Sequence, residues 1–113
     1  MTLREHQEAF ARDVADLLKH IYDSGYTCTL GETVRLKECP HCKGKLAKPL
    51  SLHPDRLAID INLFKDNRWL QNTSAHRHFG EYWKSLSAHN EWGGEGDRND
   101  GNHYSRSPNG ERW

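Results

Sequence analysis

The sequence predicts a small domain of mixed helical and strand structure, on three observations. Apolar residues recur at helical spacing over residues 2–24 and again over 74–87. Over 57–64 they alternate with a second set of side chains. Periods near 3.6 and 2.0 distinguish an element buried along one stripe from one buried on one face.

In the first helix the stripe is Phe10, Val14, Leu17, Leu18, Ile21 and Tyr22. Thr2 followed by Glu5 has the spacing of a capping box, and Gly25 is placed to end the helix in a left-handed conformation. This face is expected to be core, with no chemical role. Residues 26–36 alternate and carry β-branched side chains, which predicts a strand, or a strand broken at Gly31. Residues 37–50 read as a loop containing Lys, Gly, Pro and Cys.

The clearest strand is 57–64, with Leu57, Ile59, Ile61 and Leu63 on one face and Ala58, Asp60, Asn62 and Phe64 on the other. Lys65-Asp66-Asn67-Arg68 reads as a turn. The second helix, 74–87, carries Phe79, Tyr82, Trp83 and Leu86 on one side, with Ser74 as its expected cap. From Asn90 onward the chain is rich in Gly, Asn, Asp and Ser, a composition that by itself reads as disorder.

The 113 residues suit a single domain, 1–113. Sixteen basic and sixteen acidic residues cancel, so no net field favours nucleic acid or an anionic membrane as partner. No apolar run approaches the ~20 residues of a membrane span. The opening Met-Thr-Leu-Arg-Glu-His-Gln-Glu is too polar for a secretory signal. Synthesis and retention in a cytoplasm are therefore expected, and action on a cell wall would need release by another agent. The odd count of cysteines, Cys28, Cys39 and Cys42, argues against a disulfide framework.

Asp60 is flanked by Ile59 and Ile61. A carboxylate there must be solvated, paired or metal-bound, because a bare buried charge is very costly. An amphipathic edge strand with a wet polar face is the plainer reading. His53 precedes it by seven residues, roughly 23 Å if fully extended. Pro54-Asp55 is a turn signal that lets the chain fold back. An exposed loop histidine is the plainer reading of His53. His103 follows Asp100 by three residues, and Asp100 is either a turn former before Gly101 or an acid beside a metal. Two histidines and one carboxylate make a three-ligand zinc set with a fourth position open to water, the pattern of catalytic zinc. Such a site needs a carboxylate to move protons, and Asp100 is the candidate.

Ser51-x-His53-x6-Asp60 followed by Asp100-x-x-His103 resembles the M15 group of zinc peptidases. These are D-alanyl-D-alanine carboxypeptidases, D-Ala-D-Ala dipeptidases and the L-alanyl-D-glutamate endopeptidases of phage lysis. The runs Gly31–Arg35, Ser51–His53, 56–66, Gly80–Leu86 and Trp92-Gly93-Gly94 look like small phage members, so the resemblance covers nearly the whole chain. It implies an α+β fold of the hedgehog and DD-peptidase type: a small antiparallel sheet carrying zinc, with helices on one side. It implies His53, Asp60 and His103 as zinc ligands and Asp100 as general base. Arg35 would polarise the scissile carbonyl, and Ser51 would support His53. The implied substrate is a peptidoglycan stem peptide, cut by a monomer, with a phage or prophage endolysin favoured and L-Ala-D-Glu cleavage preferred to D-Ala-D-Ala cleavage. A metal ligand in the glycine-rich segment would also order it.

The loop containing Cys39-Pro-His-Cys42 departs from that family pattern. It is one knuckle of a zinc ribbon, and with Cys28 and His41 it offers the alternative of a non-catalytic, zinc-stabilised binding module. A degenerate wall-binding relative would share all these features. Glu91, Glu95, Asp97 and Asp100 supply the hard oxygens that calcium takes, but their spacing fits no EF-hand, and a solvated loop is the preferred reading.

Overall fold

The computed structural model describes residues 1–31, 57–96 and 99–108. Arg35, Cys39, His41, Cys42, Ser51, His53 and Asp97, and the loop 37–50, lie outside the described residues.

Helix α1 spans Leu3–Asp23. Its start is fixed as the sequence predicts: the Thr2 hydroxyl accepts from the Glu5 amide, and the Glu5 carboxylate accepts from the Thr2 amide. Gly25 follows the helix at φ +89°. Phe10, Leu17 and Ile21 are buried, with Val14 and Leu18 packed beside them. Tyr22 is a correction to the expected stripe. It is 53% exposed, and its hydroxyl bonds the backbone of Cys28. His6 and Asp13 are buried on α1 instead, where Asp13 accepts from Asn90 and His6 accepts from Arg106.

Strand β1 is Thr27–Leu30, and β2 is Ala58–Lys65. A tight turn at Asp66 and Asn67, both at positive φ, joins β2 to β3, Arg68–Leu70. Asp and Asn tolerate that conformation better than most residues, which is why a two-residue hairpin forms here. Helix α2 is Thr73–Leu86, one residue earlier than the sequence suggests. The residue at its cap position is Asn72 rather than Ser74, and it makes no side-chain capping bond. Strands β4, Asn90–Trp92, and β5, His103–Arg106, complete the chain.

The five strands form one antiparallel sheet in the order β1-β2-β5-β4, with β3 also paired to β2. Phe64 pairs with Thr27 of β1 and with Trp69 of β3, so those two strands take opposite edges of β2. Strand β5 therefore shares an edge with β3, pairing with Ala58–Asp60 while β3 pairs with Leu63–Lys65. Both helices contribute to the core against Ile59, Ile61 and Leu63. The molecule is a small α+β domain.

The glycine-rich segment owes its order to two aromatics. Trp92 and Tyr104 are fully buried and lie opposite each other in the β4–β5 ladder. Trp83 of α2 donates from its indole to the carbonyls of Glu91 and Ser105, tying the helix to both strands. A few large rings here do the packing that a longer strand spreads over many aliphatics.

Candidate metal centre

Alternation along β2 turns Asp60 and Asn62 away from the face of Ile59 and Ile61. Antiparallel register then sets His103 of β5 directly opposite Asp60, on the same face of the sheet. The His103 Nδ1 and Asp60 Oδ1 atoms are 3.4 Å apart, with His103 buried and Asp60 partly open to solvent. A charge-assisted bond between these groups closes to about 2.7–2.9 Å. Two ligands at about 2.0–2.1 Å from a tetrahedral zinc sit about 3.3–3.4 Å apart. The observed 3.4 Å spacing is one that two donors on a shared ion would also take. An imidazole and a carboxylate are also a donor pair that zinc accepts.

Asp100 and His103 are the ends of one turn, in which the His103 amide donates to the Asp100 carbonyl. The turn is held on three sides. Gly93 donates to the His103 carbonyl and accepts from the Asp100 amide. The Trp92 indole donates to the Gly101 carbonyl at 2.7 Å, and the Thr73 hydroxyl accepts from the Gly101 amide. The approach at Gly93 requires glycine, since a Cβ there would lie 2.3 Å from the Asp100 carbonyl oxygen. Asn99, at φ +54°, brings the chain into the turn.

Beside this turn is a cleft of about 180 Å³, in the fork where β3 and β5 diverge along their shared edge of β2. Asn62, Trp69, Gln71, His76, Asp100 and Asn102 are among the residues that line it. His76 Nδ1 lies 2.8 Å from the hydroxyl of buried Tyr104. Burial pushes His76 down to about 4, so it is neutral at pH 7. Burial pushes the Tyr104 phenol up, which keeps it neutral too.

Of the residues singled out from sequence, the fold pairs the side chains of Asp60 and His103, and it places Asp100 in the backbone turn that leads into His103. Arg35, Ser51 and His53 lie outside the described residues, and among the described residues no group of three metal-ligating side chains converges. Gly31 donates to the Asp60 carbonyl at 2.7 Å. Cys28 packs on the core, and burial raises its thiol pKa. Of the acidic run, Glu95 pairs with Lys84, and Glu91 accepts from Ser107.

Sequence reasoning passed over Thr73, His76 and Tyr104, and gave Trp69 no role. The signal for Tyr104 was slight, because a four-residue strand shows period-two alternation over only two pairs. No protein-family model and no curated relative matches the chain.

Proposed function

We propose that this chain is a zinc-dependent peptidase of the M15 type, with the hedgehog and DD-peptidase arrangement of sheet and helices, that hydrolyses stem peptides of bacterial peptidoglycan. The observation that carries the reading is the pairing of Asp60 with His103 at 3.4 Å, with Asp100 one turn away at the lip of a polar cleft. In this reading His53, Asp60 and His103 hold the zinc. When bound, the metal supplies Lewis acidity, which activates water near neutral pH and polarises a carbonyl.

The chain's own residues do the rest. Asp100 accepts a proton from the attacking water and delivers it to the leaving amine nitrogen. The hydrogen bonds around its turn fix where that carboxylate starts, and preorganisation of this kind lowers the cost of reaching the transition state. Arg35 donates from its guanidinium to the carbonyl oxygen as negative charge grows there. Ser51 holds the orientation of His53. The runs 56–66 and 80–86 resemble small phage members, and on that resemblance we favour a phage or prophage lysin, with L-Ala-D-Glu cleavage preferred to D-Ala-D-Ala cleavage.

Digestion of purified sacculi followed by mass spectrometry of the muropeptides tests this function. Stems cut after L-Ala are the expected product, and free D-Ala would reassign the bond to D-Ala-D-Ala. Intact stems after digestion with zinc-loaded protein would refute the peptidase reading.

A further inference from the structure

We propose that the cleft between β3 and the Asn99–Asn102 turn is a sugar subsite, which takes one pyranose ring of an N-acetylated glycan against the indole of Trp69. The inference rests on the peptidase reading for the identity of the glycan, and on the cleft itself for the class of ligand.

Three features of the cleft point to a neutral, polar guest with one apolar face. The first is Trp69, which lines the cleft and is 54% exposed. The Phe64 ring stacks beside it, with centroids 6.4 Å apart and an interplanar angle of 21°. An indole held by a neighbour and still open to solvent is a ready shelf for the C–H face of a sugar.

The second is the set of side-chain amides. Asn62, Gln71, Asn99 and Asn102 line the same space. Each amide offers two donors and an acceptor, which match ring hydroxyls and the acetamido group of an N-acetylated sugar.

The third is charge. Among the described lining residues none is Lys or Arg, Asp100 is the one acid, and His76 is neutral at pH 7. These described residues offer no cation to the carboxylates of a stem peptide, whereas an uncharged sugar needs none. A volume of about 180 Å³ is also on the scale of a single ring.

The placement ties the subsite to the metal pair. Trp69 lies opposite Phe64, and His103 opposite Asp60. Phe64 and Asp60 are four residues apart on one strand and so share a face of the sheet. A sugar seated on Trp69 would therefore lie on the same face as the cutting site, as one substrate carrying both glycan and peptide requires.

The test is titration of the purified protein with the N-acetylglucosamine trimer, followed by ¹⁵N NMR, with a sugar-free stem tetrapeptide as comparison. The Trp69 indole resonance should move with the trimer. Trp69→Ala should weaken trimer binding at least tenfold, and Trp69→Phe less than threefold, with both variants melting near the parent. Trimer binding that is unchanged in Trp69→Ala, or no response of cleft residues to the trimer, would overturn the subsite. So would a Trp69-dependent response to the tetrapeptide with none to the trimer, and the peptidase reading would survive that result. Trp69-dependent trimer binding by a protein that leaves sacculi intact would uphold the subsite and remove the peptidase reading.

Discussion

Asp60 and His103, 43 positions apart in sequence, are direct partners across the β2–β5 ladder, with Oδ1 and Nδ1 at 3.4 Å. The register that pairs them is set from both sides of β5. On one side the Ile61 amide donates to the Asn102 carbonyl, and on the other the Gly93 amide donates to the His103 carbonyl. A slip of one residue would turn His103 to the opposite face.

Gly93→Ala should disturb this register most directly. The new methyl would meet a backbone oxygen at 2.3 Å, which cannot swing aside as a flexible side chain can. Overpacking of this kind costs about 1–3 kcal/mol, or a fall in Tm of roughly 4–8 °C per kcal/mol for a domain of this size. Thermal unfolding by circular dichroism checks it, and an unchanged Tm would show that the turn can yield.

Trp92→Phe should destabilise the chain by about 1–3 kcal/mol, because the Gly101 carbonyl would lose its indole donor in a buried setting. Urea unfolding measures it. The β4–β5 segment should also exchange its amide hydrogens faster, since Trp92 is one of the two rings that order it.

Stability should fall with acid in a defined window. Burial lowers His76 in the folded state to about 4, from an ordinary value of 6.5. The unfolded chain therefore binds the extra proton first as pH falls. The contribution is complete above pH 6.5 and is lost on the way down to about pH 4. It amounts to on the order of 3 kcal/mol. His6, lowered by burial and by Arg106, acts in the same direction. Urea unfolding at pH 7 and pH 5 should show a smaller difference for His76→Gln than for the parent. An equal difference would exclude His76 as a source.

Asp100→Asn should keep zinc and lose cell-wall hydrolysis by about a hundredfold or more, the range for removing a general acid–base group. Full activity in that variant would take Asp100 out of the mechanism.

The sequence and the fold agree where a periodic signal is long. The Thr2–Glu5 box located the start of α1, and eight alternating residues located β2 and the outward face of Asp60. Strands β3, β4 and β5 have three or four residues each, too few for periodicity to stand out from polar loop. The order of β4 and β5 depends on contacts that periodicity does not reveal: Trp83 reaching Ser105, 22 residues on, and Trp92 reaching Gly101. Asp100 and His103 were legible as a pair by spacing, but their nearness to Asp60 follows from sheet register. The cleft was not legible, because β3 and the turn before β5 are brought side by side by their separate pairings with β2.

Zinc content after exhaustive dialysis tests the central claim most directly. The parent chain should retain a single zinc ion, and His53→Ala, Asp60→Asn and His103→Ala should each lose it while remaining folded. The double variant Cys39→Ser and Cys42→Ser should keep it. Zinc retained by Asp60→Asn and His103→Ala, and lost from the cysteine variant, would contradict the account and move the metal to the cysteine loop.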